Sequence, residues 1–307
     1  MISRTEIEAA WRLIRPHVRR TPALELAAGS LGVTAPLALK LESLQVSGSF
    51  KGRGAFHKIL ASKVPAAGIV AASGGNHGAA AAYAARALGH RAEIFVPTVS
   101  SPTKVARLKI YGAIVHQIGA VYAEARAASE ARAAETGALI VPAYEDPEVF
   151  AGAGSVALEF AEQATFDTLL VAVGGGGLIA GCAAAIGAAT KIVAVETDGT
   201  PTLHEALKAG RPVDVKISGI AADALGASRI GTPNFEVAQK LVRGSVLVSD
   251  EAVRGAQRAL WEELRVVAEP AGATGLAALL AGAYKPAAGE RVATLVCGAN
   301  TDPGSVV

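Results

Sequence analysis

Short apolar segments alternate with longer amphipathic ones along nearly all of the 307 residues, and this alternation limits the fold most strongly. The short segments are rich in Val, Ile and Ala, whereas the longer ones have helical spacing. Short β-branched strands separated by helices of about ten residues indicate βαβ units, whose parallel sheets are covered by helices on both faces. The sequence therefore predicts an α/β protein with open parallel sheets flanked by helices.

Hydrophobic periodicity places the individual strands and helices. The predicted strands are residues 37–41, 68–72, 92–97, 114–118, 138–141, 169–173, 192–196, 246–248 and 292–297. The predicted helices are residues 6–16, 78–88, 103–111, 123–135, 149–163, 178–188, 202–209, 251–264 and 270–281. Ser249 or Asp250 can cap the helix that begins at residue 251, and Pro270 suits the first turn of the last helix.

Composition excludes several classes of protein. Hydrophobic residues make up 51% and charged residues 18% of the chain, which excludes an intrinsically disordered protein. A net charge of +2 without a long basic run gives no reason to expect a nucleic-acid partner. Two cysteines, Cys182 and Cys297, cannot build a disulfide framework or a zinc site. Because the N-terminus is polar and lacks the apolar core of a signal peptide, we expect a cytoplasmic protein.

Residues 169–190 carry no charge and are long enough to cross a bilayer. Four glycines, Gly174 to Gly177, interrupt the segment, and much of the remainder is Ala. A strand, a glycine turn and a buried helix explain this composition better than a membrane span does. We therefore expect no membrane partner.

The first motif that carries chemistry is Ser47-Gly48-Ser49-Phe50-Lys51-Gly52-Arg53-Gly54-Ala55. It places Lys51 in a turn of small residues at the start of a predicted helix. Lysine becomes a nucleophile when it is desolvated or lies near another cation, and Arg53 is a candidate for that neighbour. On its own this motif is weak, because a lysine near a helix start is more often a solvated surface residue.

Two further motifs place glycines between a strand and a helix. Ser73-Gly74-Gly75-Asn76-His77-Gly78 follows the strand 68–72, and Gly174-Gly175-Gly176-Gly177 follows the strand 169–173. Unpaired N–H groups at such helix starts bind anions. The spacing does not fit the dinucleotide fingerprint, and no Walker lysine is present, so the four glycines predict a cup for a single phosphate. The alternative is a pair of plain turns.

The fourth motif, Cys297-Gly298-Ala299-Asn300-Thr301, ends the last predicted strand. In open parallel sheets, ligands bind at the carboxyl ends of the strands. The four motifs together supply an amine nucleophile, a phosphate cup, an amide for a ring hydroxyl and a thiol for a ring nitrogen. Pyridoxal 5′-phosphate (PLP) requires this combination of groups.

The ordered motifs S-G-S-F-K-G-R-G-A, S-G-G-N-H-G, G-G-G-G-L and C-G-A-N-T-D resemble those of the fold-type II PLP enzymes. The similarity is to the serine/threonine dehydratase family, with its serine racemase-like branch. It implies a two-domain, tryptophan synthase beta-like fold. Residues 1–62 and 143–307 would form the large PLP-binding domain, and residues 63–142 a small inserted domain. A homodimer is the usual expectation for a soluble oligomer.

The resemblance also implies roles for individual residues. Lys51 would hold PLP as a Schiff base and then act as the base at the substrate Cα. Phe50 would flank the cofactor ring, and Asn76 would bind its 3-hydroxyl. Cys297 would face the pyridine nitrogen as a neutral thiol, which makes the ring a weaker electron sink. The phosphate would be held by Gly174, Gly175, Gly176 and Gly177, and the substrate carboxylate by Ser73, Asn76 and His77.

Two positions depart from the family pattern. The racemase pattern has a serine immediately before Gly-Asn-His, and Gly74 stands there in this chain. Since Gly74 has no side chain to move a proton, we expect dehydration with little racemisation. A family cation site would retain Glu196 and use the carbonyl of Thr200, with Mg²⁺, Ca²⁺ or K⁺ as the ion. The alternative is that Glu196 is a strand-end carboxylate near the next helix.

The sequence therefore predicts a PLP-dependent lyase. It would convert L-serine, L-threonine or a related L-β-hydroxy amino acid, such as hydroxyaspartate or phenylserine, to the 2-oxo acid and ammonia by α,β-elimination. The alternatives are an amino-acid racemase or a β-replacement enzyme of the same fold, and a non-catalytic PLP-binding protein. Because the sequence ends at Val307, soon after the Cys297 motif, we expect no regulatory domain.

Overall fold

Two β-sheets flanked by helices make up the computed structural model, which describes residues 2–306. The strands are β1 (Ala23–Leu26), β2 (Leu37–Lys40), β3 (Ile69–Ala72), β4 (Ala92–Val96), β5 (Ile114–Gln117), β6 (Leu139–Ile140), β7 (Thr168–Ala172), β8 (Lys191–Thr197), β9 (Val242–Val248) and β10 (Val292–Leu295). The helices are α1 (Arg4–Ile14), α2 (Lys51–Leu60), α3 (Asn76–Ala87), α4 (Pro102–Ile110), α5 (Tyr122–Thr136), α6 (Pro147–Gln163), α7 (Gly177–Ile186), α8 (Thr202–Ala209), α9 (Ala222–Leu225), α10 (Thr232–Leu241), α11 (Asp250–Leu264) and α12 (Pro270–Leu280).

The larger sheet has the strand order β1-β2-β10-β7-β8-β9. Its neighbouring strands pair in parallel except β1, which pairs antiparallel with β2 at the edge. The predicted parallel sheets are thus confirmed, and β1 is an element that the sequence analysis missed. Since β1 is short and only partly buried, it lacks the apolar run that marks the central strands.

The smaller sheet has the strand order β5-β4-β3-β6, and its strands are parallel. These strands lie within residues 69–140, between β2 and β7 in the chain. The hydrophobic core against this sheet also includes Ile14 of α1 together with Phe56 and Ile59 of α2. Helices from outside residues 63–142 therefore pack with the smaller sheet, and the domain boundaries themselves stay a prediction.

Local signals correctly located several helix ends and missed others. Ser249 caps α11 by accepting a hydrogen bond from Ala252, and Pro270 begins α12, as predicted. Helices α9 and α10 were not predicted from the sequence, and β9 begins at Val242 instead of residue 246. Arg243 and Gly244 weaken the strand pattern at the start of β9, because charged residues and glycine are poor strand formers.

Residues 169–190 fold as predicted into a strand, a glycine turn and a buried helix, which are β7, Gly174–Gly177 and α7. None of the helices within residues 2–306 combines the length and the apolar character needed to span a bilayer.

A buried ionic network ties α2 to the larger sheet and to α6. The Arg53 guanidinium donates to both carboxylate oxygens of Glu42 at 2.8 Å and to Glu159 at 3.0 Å. Lys40, at the end of β2, donates to the other oxygen of Glu159 at 2.5 Å. The four side chains are fully buried, and their charges balance in pairs.

We expect the substitution Arg53→Met to lower the free energy of unfolding by about 3–5 kcal/mol, because it leaves buried carboxylates without their cation. Urea unfolding of the purified protein measures this effect. The control is Arg258→Met, since Arg258 pairs with Glu251 at an exposed position, where an ion pair contributes at most about 1 kcal/mol. Equal losses of stability in the two variants would show that the buried network does not stabilise the fold.

Candidate active site

The four motifs meet in one pocket between the two sheets, at the carboxyl ends of β3, β7 and β10. The backbone joins two of them directly, because Phe50 N donates to Cys297 O and Ala299 N donates to Gly48 O, both at 3.0 Å. Residues nearly 250 positions apart thus lie side by side. The pocket is lined by Phe50, Lys51, Asn76, Tyr144, Ala172, Gly174, Gly175, Gly176, Gly177, Leu178, Ala224, Leu225, Glu269, Ala271 and Cys297.

Lys51 is the first residue of α2 and is partly buried. The preceding turn requires left-handed backbone at Ser47 (φ 61°) and Gly48 (φ 78°), which brings the chain sharply into the helix. Lys51 Nζ donates to the carbonyl of Ala143 at 2.7 Å. Burial lowers the pKa of Lys51 to about 8, although the nearby Cys297 and Glu269 act in the opposite direction.

The expectation that Arg53 is the cation activating Lys51 is wrong. The guanidinium of Arg53 is fully buried and engaged by the carboxylates of Glu42 and Glu159. Burial, rather than a neighbouring cation, lowers the pKa of Lys51. Helical geometry explains the outcome, since residues two apart on a helix do not face each other.

The glycine run Gly174–Gly177 forms the turn between β7 and α7. Gly176 has a φ of 87°, in the left-handed region that favours glycine, and it is the N-cap of α7. The first turn of α7 leaves backbone N–H groups without helical partners at the wall of the pocket. Such a helix start suits a phosphate group.

These glycines are also required by close packing. A Cβ at Gly174 would lie 2.9 Å from Leu225 Cα, and one at Gly175 would lie 2.3 Å from the ring of Tyr144. Larger residues therefore cannot replace these two glycines without moving the neighbouring segments. The run is a tightly packed turn and not a flexible loop.

Asn76 is held by hydrogen bonds on both sides of its amide. Its Nδ2 donates to Glu269 Oε1 at 2.5 Å, and its Oδ1 accepts from Asn300 Nδ2 at 2.5 Å. Asn300 also donates to the carbonyl of Ser47 at 2.9 Å. Asn76 begins α3 beside the smaller sheet, whereas Glu269 and Asn300 belong to segments beside the larger one. The two hydrogen bonds therefore fix the direction of the Asn76 amide in the pocket.

Glu269 lines the pocket but was given no role from the sequence. It is the N-cap of α12, and its side chain is buried. Burial raises the pKa of Glu269 to about 7, although the hydrogen bond from Asn76 acts to lower it. Its position immediately before Pro270, in a predicted helix start facing the strand ends, was the signal that could have found it.

Cys297 is buried at the end of β10 and lines the pocket. Burial raises the pKa of the thiol far above its usual value, and the nearby Glu269 adds to the increase. Cys297 therefore remains a neutral thiol at physiological pH.

The side chains of Ser73 and His77 do not line the pocket. Ser73 Oγ accepts from Gly75 N at 3.2 Å, and His77 Nε2 lies 2.8 Å from the carbonyl of Val141. Burial, together with Lys51, lowers the pKa of His77 to about 3, so the ring is neutral and Nε2 is the donor to Val141. His77 thus brings no positive charge to a carboxylate, and the substrate-binding role of these side chains stays a prediction.

Tyr144 is a second pocket residue that the sequence analysis did not find. It lies shortly after β6, and its ring packs against Gly175. An aromatic residue just after a strand end was the available signal. Ala224 and Leu225 of α9 also line the pocket, and no local motif marks them.

A family model described as "Pyridoxal-phosphate dependent enzyme" matches residues 14–298. The chain belongs to this family. The L-threonine ammonia-lyase of Thermotoga maritima is 35% identical over 98% of this chain and 76% of its own length. The phenylserine dehydratase of Ralstonia pickettii is 36% identical over 86% of this chain and 82% of its own. The structure of maize serine racemase matches with a TM-score of 0.93 and 32% identity, covering 99% of this chain and 95% of that one.

These similarities confirm the fold-type II PLP family and the α/β fold class that the sequence predicted. The residues of the pocket also fit PLP chemically. Within residues 2–306, the buried side-chain polar atoms without a hydrogen-bond partner are Ser47 Oγ, Ser49 Oγ and Asn234 Oδ1. The two serines precede Lys51, and Asn234 Nδ2 donates to the carbonyl of Gly175 at 2.8 Å, but none of the three residues lines the pocket. The pocket itself offers the amine of Lys51, the amide of Asn76 and the N–H groups at the start of α7, which suit the aldehyde, the hydroxyl and the phosphate of PLP.

Glu196 lies at the end of β8 and does not line the PLP pocket, although the hydroxyl of Thr202 lies within hydrogen-bond distance of both Glu196 and the pocket residue Gly174. One of its oxygens accepts from Leu203 N and the other from His204 N, each at 2.7 Å, so the carboxylate caps the start of α8. Thr200 is buried, and its hydroxyl pairs with that of Thr197. In the part of the chain that the structure describes, no three His, Cys, Asp or Glu side chains are grouped to hold a metal.

We expect acylation of Lys51 in the PLP-free protein to rise with pH and to be half-maximal near pH 8. Below that pH the amine is protonated and does not attack, whereas above it the neutral amine is the main form. Peptide mass spectrometry after brief exposure to an acylating reagent measures the extent, and Lys51→Ala identifies the labelled peptide. A midpoint near the ordinary lysine value of 10.5 would contradict this environment.

Proposed function

We propose that the protein is a PLP-dependent dehydratase, a lyase that converts L-serine, L-threonine or a related L-β-hydroxy amino acid to the 2-oxo acid and ammonia. The observation that carries the proposal is the partly buried amine of Lys51, whose pKa is lowered to about 8 beside a neutral thiol. The ammonia-lyase and dehydratase relatives support the same reaction class.

Six positions and one run of residues would hold the cofactor and the substrate. Lys51 would bind PLP covalently, Phe50 would flank its ring, and Asn76 would bind its 3-hydroxyl. Gly174–Gly177 and the start of α7 would hold the phosphate. Cys297 would face the ring nitrogen. The backbone N–H groups at the start of α3, near Ser73 and His77, would bind the substrate carboxylate.

When bound, PLP supplies an electron sink for the electrons left at the substrate Cα. Lys51 Nζ takes the Cα proton, which requires the neutral amine, and a pKa near 8 keeps a useful fraction neutral at physiological pH. The Cβ–O bond then breaks, and the proton that Lys51 Nζ has taken goes to the departing hydroxyl, which leaves as water. Hydrolysis of the released enamine consumes one water and gives the 2-oxo acid and ammonia. A neutral Cys297 facing the ring nitrogen would place no negative charge there, which would weaken the sink and favour prompt loss of the hydroxyl.

Racemisation is the second candidate, favoured by the similarity to maize serine racemase. It needs a proton donor on the face opposite Lys51, where the family pattern would place Gly74, a residue without a side chain. A Cβ at Gly74 would lie 3.3 Å from Ser100 Oγ, so the space beside this position is partly filled by another residue's hydroxyl. We therefore propose elimination as the main reaction.

The proposal also covers the oligomeric state, the localisation, the domain boundary and a bound cation. We propose a homodimer in the cytoplasm, with residues 63–142 as the small inserted domain. A Mg²⁺, Ca²⁺ or K⁺ ion at Glu196 and Thr200 stays a prediction. The hydrogen bonds from Leu203 N and His204 N give the carboxylate of Glu196 a structural role without an ion.

The PLP-loaded protein should release ammonia and a 2-oxo acid from at least one L-β-hydroxy amino acid. Lys51→Ala should lower kcat by roughly 10²- to 10⁴-fold, because it removes the base at Cα. Coupled assays for ammonia and 2-oxo acid, with and without sulfide, separate elimination from β-replacement. A PLP-loaded protein that releases no ammonia from serine, threonine, hydroxyaspartate or phenylserine would overturn the proposal.

Gly74→Ser should increase the rate of D-serine formation from L-serine relative to elimination by roughly tenfold or more, since it restores a proton-transferring group. The backbone at Gly74 is not in the left-handed region, so a side chain is tolerated, and Ser100→Ala in the same chain relieves the close approach. Chiral chromatography measures the two enantiomers. Gly74→Ala is the matched control, and equal D-serine formation by all variants would refute the role assigned to this position.

A further inference from the structure

A second groove opens beside the PLP pocket, and the proposed catalytic roles make no use of it. It has a volume of about 320 Å³, within the range of about 300–1,000 Å³ that is usual for ligand pockets. The start of α5 forms one side of the groove, and the segment that follows β6 forms the other. Its lining includes Tyr122, Arg126, Glu130, Ile140, Tyr144 and Glu145.

The groove begins next to the reacting amine. Tyr144 lines both the PLP pocket and the groove. Ala143 also lines the groove, and its carbonyl accepts the hydrogen bond from Lys51 Nζ at 2.7 Å. A substrate whose Cα lies at Lys51 can therefore extend its β-substituent past Tyr144 into the groove.

Aromatic and aliphatic side chains cover much of the groove wall. The ring of Tyr122 is 46% exposed and Ile140 is 38% exposed, although both are large apolar residues. Pro142 and the buried Val141 continue the same wall. Exposed apolar surface grouped beside a pocket marks a ligand-binding surface more often than a lone exposed residue does.

The charges of the groove disfavour an acidic side chain. Arg126 is its only cation among the described lining residues, and its Nε donates to Glu130 at 2.8 Å. Glu145 adds a second carboxylate, so two acidic groups stand against one guanidinium. A carboxylate on the substrate would meet net repulsion, whereas a neutral ring can pack on the tyrosines and on the flat guanidinium.

We propose that this groove binds the aryl group of a β-aryl-β-hydroxy amino acid, with Tyr122 as a specificity residue. The inference rests on the proposed dehydratase activity and names its substrate class. Threonine would leave the groove empty, and hydroxyaspartate would be repelled from it.

The test compares kcat/KM of the PLP-loaded protein for L-threo-phenylserine, L-threonine and L-threo-hydroxyaspartate, followed by ammonia release. We expect kcat/KM for phenylserine to exceed that for threonine, and kcat/KM for hydroxyaspartate to be the lowest of the three. Tyr122→Ala should reduce the phenylserine-to-threonine ratio about tenfold, whereas Tyr122→Phe, which keeps the ring, should retain the ratio. Tyr111→Ala is the matched control, because Tyr111 packs against Tyr83 outside the groove.

A binding measurement separates recognition from chemistry. L-Phenylalanine has the ring but no β-hydroxyl to lose, so its dissociation constant can be read from the PLP absorbance. We expect Tyr122→Ala to weaken L-phenylalanine binding about tenfold relative to L-alanine binding, and Tyr111→Ala to leave this comparison unchanged. Thermal unfolding checks that each variant is folded.

The outcomes distinguish the two proposals. The proposed aryl groove is overturned, and the proposed dehydratase activity is kept, if kcat/KM is higher for threonine than for phenylserine. The same holds if Tyr122→Ala changes neither the phenylserine-to-threonine ratio of kcat/KM nor the phenylalanine-to-alanine ratio of dissociation constants. If hydroxyaspartate is the best substrate, the groove selects charge and the inference is overturned. If no β-hydroxy amino acid releases ammonia, the proposed function itself fails.

Discussion

The ion network centred on Arg53 fixes the helix that carries the reactive amine. Arg53 lies two residues after Lys51 on α2, and its guanidinium is held by Glu42 near β2 and by Glu159 of α6. Burying a charge is costly unless it is paired and hydrogen-bonded, and here each charge has an opposite partner. The buried ion pairs form only when α2 has one position against the larger sheet. Because Lys51 is the first residue of α2, the same ion pairs fix the position of Lys51.

Parallel strand topology explains why motifs far apart in sequence form one pocket. β3, β7 and β10 end near the same place, and each is followed by one of the motifs. Hydrogen bonds between Phe50 and Cys297 and between Ala299 and Gly48 then hold the lysine turn against the last strand. The same burial that closes the pocket lowers the pKa of Lys51 and raises that of Cys297, so one environment makes the amine nucleophilic and keeps the thiol neutral.

The sequence predicted those features that depend on local pattern. Apolar runs located the central strands, and glycines at strand ends located the turns that line the pocket, because both patterns reflect backbone geometry. The direction of the Arg53 side chain depends on partners brought in from elsewhere in the chain, so no local signal encodes it. The place of Glu269 before Pro270 marks a helix start, but not its contact with Asn76. Strand β1 was not predicted for a related reason, since a partly buried edge strand needs no continuous apolar run.

The amide of Asn76 has a consequence for motion between the sheets. It belongs to α3, beside the smaller sheet, yet both of its ends are bonded to residues that flank the larger one, Glu269 and Asn300. A rotation of one sheet relative to the other would break both bonds together. Asn76, the residue proposed to recognise the cofactor hydroxyl, therefore also couples the two sheets. Its amide can turn away from the pocket only if the hydrogen bonds that join the sheets at this point break.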